Sequence, residues 1–306
     1  MKHLLKLLDL TGEEIIEILN LGDQLKYEVK HNIPHPRLNG KSLGMIFEKS
    51  STRTRVSFEV GMYQLGGHPL FLSSRDLQIG RGEPVEDTAR VLSRYLDGIE
   101  IRTFAQAEVE ELAQYSTIPI INGLTDFAHP CQVLADLMTV REYKGRLAGL
   151  KLCFIGDGNN MMNSLIVGGL KTGMTVSVAC PAGYGPAKEV LEFADAQNKA
   201  AGKELFTLFR SPAQAAADAD AVFTDVWASM GQEKEAERRR RDFAGFQVNA
   251  ELLALAKPDA MVQHCLPAHR GEEITAEVLE AHANEVFDEA ENRLHAQKAV
   301  LVKLMG

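Results

Sequence analysis

Residues 42–62 read SLGMIFEKSSTRTRVSFEVGM, and this stretch decides the fold. Ser42-Leu43-Gly44-Met45-Ile46-Phe47 is apolar and partly β-branched, as a buried strand requires. Val56-Ser57-Phe58-Glu59-Val60-Gly61-Met62 reads as a helix. Between them, residues 48–55 pack hydroxyls and guanidiniums into a strand-to-helix turn. Backbone N–H groups at a helix start lack an intrahelical acceptor and carry partial positive charge, so they attract an anion. Ser51, Thr52 and Thr54 add hydroxyl donors there, and Arg53 and Arg55 add forked charge suited to phosphate oxygens. The competing reading is an ordinary Ser/Thr cap with surface arginines. The number of donors converging on one turn favours phosphate.

Outward from that turn the same alternation repeats. Strands are expected at 69–72, 98–102, 118–122, 150–155, 175–179, 205–209, 221–224 and 260–263. Helices are expected at 11–30, 85–95, 105–115, 130–143, 159–172, 187–200 and 289–304, the first opened by the capping box Thr11-Gly12-Glu13-Glu14. Residues 144–149 read as a connector. The fold class is therefore α/β: two doubly wound parallel-sheet domains, with the active site in the cleft between them. The expected boundaries are 1–145, with a C-terminal helix at 288–306 packing back on that half, and 146–287. The charge-dense run 233–241 reads as a solvated helix face.

Composition narrows the function. The chain has 306 residues, is 45% hydrophobic and 25% charged, and carries a net charge of −9. A negative chain is a poor partner for nucleic acid or an anionic membrane, so any basic site is a local pocket. Cys131, Cys153, Cys180 and Cys265 form no C-x-x-C pair, which points to free thiols in a reducing, cytoplasmic setting. The apolar start at residues 1–8 is interrupted by Lys6 and lacks a cleavage site, so it does not read as a signal peptide.

Ligands in open α/β sheets bind beyond the carboxyl ends of strands. In the first half those ends hold residues 51–55, Arg102, and His129-Pro130-Cys131-Gln132. This set is cationic and rich in donors. His129 and Gln132 side by side can grip a carbonyl oxygen and an NH₂ group. In the second half the strand ends hold residues 157–160, Asp225-Val226-Trp227-Ala228-Ser229-Met230-Gly231, and His264-Cys265-Leu266-Pro267. This set contains a carboxylate, amides and a thiol. The lone Trp227, with Met230 and Gly231, fits a mobile binding loop. Gly156-Asp157-Gly158-Asn159-Asn160-Met161 is not a dinucleotide fingerprint: Met161 replaces the third glycine, and the next strand ends without an acid for a ribose. A helix cap explains one of Asn159 and Asn160; the other is left for a ligand.

Together these motifs resemble the aspartate/ornithine carbamoyltransferase family over nearly the whole chain. Ser51-Thr52-Arg53-Thr54-Arg55 matches its carbamoyl phosphate signature. Cys131 within His129-Pro130-Cys131-Gln132, Ser229-Met230-Gly231 and His264-Cys265-Leu266-Pro267 have the form of the ornithine branch, and Glu291-Asn292-Arg293 matches a further phosphate-domain motif. The resemblance implies transfer of a carbamoyl group from carbamoyl phosphate to the δ-amine of ornithine, giving citrulline and phosphate, as in arginine biosynthesis or a urea-cycle-type step. It implies that Ser51, Thr52, Arg53 and Thr54 hold the phosphate, completed by Arg102, His129, Pro130, Cys131, Gln132, the backbone at Cys265 and Leu266, and Arg293. Gln78, in the long loop, would reach carbamoyl phosphate in a neighbouring subunit's site. Asn160, Asp225, Ser229 and Met230 would bind ornithine. Thr54, Arg102 and His129 would act as donors to the carbonyl oxygen, while Asp225 and Cys265 orient the amine. The family is built from trimers, so a homotrimer or a multiple of trimers is expected. No metal or organic cofactor is required, because orientation and electrostatics can supply the rate. The alternatives are a sister carbamoyltransferase taking putrescine, acetylornithine or aspartate, and a non-catalytic carbamoyl phosphate sensor.

Overall fold

A computed structural model describes residues 1–75, 77, 78, 82–229 and 233–306. Of the expected site, Met230 and Gly231 lie outside the described residues, as does the loop glycine Gly80. In chain order the elements are α1 (Gly12–Lys30), β1 (Ser42–Phe47), α2 (Thr52–Gln64), β2 (His68–Ser73), α3 (Val85–Leu92), β3 (Gly98–Arg102), α4 (Gln106–Tyr115), β4 (Ile120–Leu124) and α5 (Pro130–Lys144). There follow β5 (Lys151–Ile155), α6 (Asn160–Lys171), β6 (Thr175–Ala179), α7 (Lys188–Ala201), β7 (Phe206–Phe209), α8 (Pro212–Ala216) and β8 (Ala221–Thr224). The chain closes with α9 (Ala236–Asp242), α10 (Ala250–Leu253), β9 (Met261–His264), α11 (Ala276–Ala281) and α12 (Ala283–Met305). Two compact units result: Met1–Met138 with Glu291–Gly306, and Thr139–Ala290.

The first unit is built on a four-stranded sheet of order β2-β1-β3-β4, with every pairing parallel. β1 is buried from Leu43 onward and β3 along its whole length. A strand covered on both faces needs apolar residues on both, which is why β1 reads as a continuous run. One face packs Ile46, Ile99, Ile101 and Ile120 against Val109 and Leu112 of α4. The chain leaves β1 toward β2 on one side and crosses back to β3 on the other. The reversal therefore falls between the carboxyl ends of β1 and β3, where Phe47 stands in register with Arg102.

The second unit carries a five-stranded parallel sheet of order β7-β6-β5-β8-β9. Its reversal falls between β5 and β8, where Ile155 stands in register with Thr224. Among the described residues no helix is long and apolar enough to cross a membrane.

Three readings are corrected. α12 begins at Ala283, six residues before the expected 289, because Phe287 is exposed and hides the helical period there. Trp227 lies in the loop after β8 but is not a mobile side chain there: it is buried, and its ring stacks on Phe243 at 5.7 Å. The 233–241 run is not wholly solvated, because Arg239 is 6% exposed and tied into the unit. A short helix turns one residue in four inward, and a charge can follow if a partner awaits it.

Candidate active site

At the reversal of the first sheet, β1 runs into α2 through Ser51. Ser51 is extended and caps the helix: its Oγ accepts from the Thr54 N–H at 3.2 Å. The same hydroxyl donates to Thr54 Oγ1 at 3.1 Å, and Arg293 Nη2 donates to that oxygen at 3.2 Å. With both lone pairs of Oγ1 filled, the Thr54 proton is left to donate elsewhere. Thr52 is exposed at the first helical position and Arg53 is half-buried beside it. Arg55 turns away, stacking on the Phe71 ring at 3.7 Å and donating to Glu59 at 2.9 Å.

Arg102, His129, Gln132 and Arg293 are all buried. Pro130 opens α5, where its missing N–H leaves no helical hydrogen bond unmade. Arg293 Nη1 donates to Gln132 Oε1 at 2.6 Å, and Gln132 Nε2 donates to Asp136 at 2.7 Å. One guanidinium from α12 thus ties the α2 start to the α5 start. Burial, with Arg293, Arg102 and Arg53 nearby, drives the His129 pKa well below the usual histidine value. His129 is a neutral imidazole among three cations, in a chain whose net charge is −9. Cys131 is buried, its Sγ directed at the Asn122 carbonyl at 3.5 Å, and burial pushes its thiol up to about 12. It packs and does not react. Gln78 is exposed on the segment between β2 and α3, outside this buried set.

At the reversal of the second sheet the focus is Asp225. Its Oδ1 accepts from the Val226 N–H at 2.8 Å and from Cys265 Sγ at 3.1 Å. Its Oδ2 accepts from Asn159 Nδ2 at 2.8 Å. Asn159 is also the cap of α6, accepting from the Met161 and Met162 N–H groups at 3.0 and 3.2 Å. The double duty of Asn159 was not legible in the sequence, which offered only two adjacent amides. Asn160 begins α6 and Ser229 is half-buried on the segment after β8.

The neighbouring strand end is set by His264. The Leu266 N–H donates to its Nδ1 at 2.9 Å, so Nε2 holds the proton and donates to Glu273 at 3.0 Å. Leu266 itself sits at φ +56°, a left-handed position that leucine rarely adopts. Asp225, His264 and Cys265 stand close enough for a metal, with ligand atoms within 4.8 Å of one another. Both His264 nitrogens are already engaged, however, and the set describes an oriented carboxylate instead.

Sequence reading also missed Arg239. Its Nη1 donates to Asp157 at 2.8 Å and to the Trp227 carbonyl at 2.7 Å, and its guanidinium lies over the Tyr184 ring. It anchors the segment after β8 to the end of β5. Burial raises the Asp157 pKa to about 6 even against the Arg239 charge. A charge-dense run ending in four consecutive arginines, Arg238 to Arg241, carried no signal that one of them would be buried.

A capped, donor-rich helix start at the reversal of one sheet and an oriented carboxylate at the reversal of the other define a protein of two parallel α/β units. Family models agree. Residues 2–142 match "Aspartate/ornithine carbamoyltransferase, carbamoyl-P binding domain", and residues 148–304 match "Aspartate/ornithine carbamoyltransferase, Asp/Orn binding domain". The chain is 56% identical to the ornithine carbamoyltransferase of Carboxydothermus hydrogenoformans, covering 100% of this chain and 98% of that protein. It superposes on the solved ornithine carbamoyltransferase of Pyrococcus furiosus with a TM-score of 0.95 at 54% identity, covering 100% of this chain and 97% of that one. The anabolic enzyme of Campylobacter jejuni gives a TM-score of 0.93 at 44% identity, over 99% of both chains. The chain belongs to the aspartate/ornithine carbamoyltransferase family.

Proposed function

We propose that the chain transfers the carbamoyl group of carbamoyl phosphate to the δ-amine of L-ornithine, giving L-citrulline and phosphate. The observation that carries this is the 56% identity, over 100% of the chain, with a relative named for that activity. Residues 1–145 with the helix at 288–306 act as the carbamoyl phosphate-binding domain, and 146–287 as the ornithine-binding domain.

The reaction is attack of a neutral amine on a carbamoyl carbon as phosphate leaves. Negative charge grows on the carbonyl oxygen and on the bridging oxygen. Thr54, Arg102 and His129 donate to the carbonyl oxygen; a donor O–H on Thr54 and a neutral His129 suit that task. Ser51, Thr52 and Arg53 hold the phosphate with the first-turn N–H groups, and Gln132, Arg293 and the Leu266 backbone complete the pocket. Asp225, Asn160, Ser229 and Met230 bind ornithine.

An alkyl ammonium of pKa about 10.4 is almost wholly protonated at neutral pH. Asp225 and the Cys265 thiol orient the amine, and a phosphate oxygen takes its proton during transfer. A pH profile of kcat/KM for Asp225→Asn tests this: full activity at every pH would remove Asp225 from that role.

Relatives carrying "anabolic" in their names support a biosynthetic direction, toward arginine. Four free cysteines suit the cytoplasm. The family's trimeric assembly suits an apolar stripe on α2, where Val56, Val60 and Tyr63 are 50%, 37% and 79% exposed, beside Leu70 and Phe71 on the edge strand β2. Gln78 then serves a neighbouring subunit.

Citrulline formation, compared across ornithine, putrescine, acetylornithine and aspartate, tests the whole reading. Ornithine is the preferred acceptor. Faster turnover of putrescine or acetylornithine would assign the chain to a sister activity.

A further inference from the structure

Glu100 lies in the middle of β3, fully buried, and neither carboxyl oxygen has a hydrogen-bond partner among the described residues. Strand residues alternate faces, so Glu100 shares its face with Arg102. The adjoining strands meet it with uncharged residues. Met45 of β1 and Ile121 of β4 stand in register with it. Gly123 of β4 lies so close that a Cβ there would sit 1.7 Å from Glu100 Oε1. Only glycine leaves room for that carboxyl, so its place in the core is built. The charges that bear on it are Arg102 on its own strand and Arg293 on α12. Cys131 on α5 also faces it and remains a thiol.

No step of the carbamoyl transfer uses this group. A buried carboxylate lacking hydrogen bonds is strongly disfavoured, so the side chain keeps its proton. Burial pushes its pKa up to about 8, although both arginines pull it down. At neutral pH a carboxylic acid therefore stands behind two guanidiniums and leaves their charge intact. Above that range it becomes a counter-ion to both.

We propose that Glu100 is a positioning residue behind the carbamoyl phosphate site: protonated, it leaves Arg102 and Arg293 to the anion, and ionised, it competes for them. The proposal rests on the carbamoyl phosphate reading. Only a proton is lost, and no bond to substrate is made. By linkage, ionisation of Glu100 and binding of an anion oppose each other.

The test is calorimetric titration of the full chain with inorganic phosphate at pH 7.5 and pH 9.5. Bound phosphate that raises the Glu100 pKa by one unit makes Kd rise about sixfold across that interval in the parent protein. Glu100→Gln, which matches the protonated acid in shape, has the same Kd at both pH values. Glu100→Met, neutral and unable to titrate, gives the same flat profile and serves if the amide does not fold. A rise that survives in either folded variant overturns the proposal, as does a flat profile in the parent. Citrulline formation in the same preparations separates the two readings. Turnover with a phosphate Kd indifferent to Glu100 overturns this assignment alone; loss of both turnover and phosphate binding in the parent overturns the carbamoyl phosphate reading beneath it.

Discussion

Asn159 performs two tasks that substitution can separate. As the cap of α6 it satisfies two N–H groups, and as a donor it holds Asp225 Oδ2 at 2.8 Å. Removing a helix cap costs about 1 kcal/mol. Removing a hydrogen bond from a buried carboxylate costs about 2 kcal/mol more. Asn159→Ala should therefore destabilise the protein by about 3 kcal/mol, which at about 2–4 °C per kcal/mol lowers Tm by roughly 6–12 °C. Asn159→Ser restores a capping oxygen without the amide donor, so it should recover about 1 kcal/mol of that loss. The kinetic effect should not recover. With Asp225 free to turn, the amine that it is proposed to orient is misplaced in both variants, and kcat/KM for ornithine should fall about ten- to a hundredfold in each. Thermal unfolding and initial rates of citrulline formation at several ornithine concentrations measure the two effects. Serine restoring the rate together with the stability would refute the reasoning, since the amide would then matter only as a cap. So would alanine leaving Tm within about 1 °C of the parent.

Arg239→Met should cost about 3–5 kcal/mol at pH 7.5, because it strands the Asp157 carboxylate. Asp157 titrates at about 6 in the folded chain, above its unfolded value. Its favourable form is the acid, present at low pH and lost as pH rises through 6, so urea unfolding at pH 5 should show a much smaller penalty. Gly123→Ala would place a Cβ 1.7 Å from Glu100 Oε1 and should cost about 1–3 kcal/mol. Adding Glu100→Ala should relieve part of that cost, a coupling that a double-mutant cycle reads directly. His129→Gln should lower kcat by about a hundred- to a thousandfold by removing the donor proposed for the carbonyl oxygen. The folded His129 pKa lies below the unfolded one, so its neutral form stabilises above pH of about 6.5 and acid erodes that. The glutamine variant should accordingly lose less stability than the parent between pH 6.5 and 5, again by urea unfolding.

The sequence by itself determined the architecture. β1 and β3 could be read because strands buried on both faces admit few polar residues, and the polar stretch 48–55 departs from that rule abruptly. Ser51 and Asn159 could be suspected as caps because capping is a local event within three residues. Even strand order follows from such patterns only as far as parallel alternation. The order β2-β1-β3-β4, which brings residue 102 beside the 51–54 turn, is a property of the sheet.

Tertiary structure alone decided which charges are buried and which partners they meet. Arg293 reaches Thr54 from 239 residues away, and Arg239 reaches Asp157 from 82. No local pattern encodes either pairing. Trp227 reads as part of a mobile loop, and only the fold brings it Phe243, the ring on which it packs. In the sequence Glu100 reads only as part of the strand at 98–102. Its burial depends on a glycine one strand away, and its protonation depends on how little solvent remains once the sheet is covered. Local propensity is written into neighbouring residues, whereas desolvation and charge pairing belong to groups that meet only when the chain has folded.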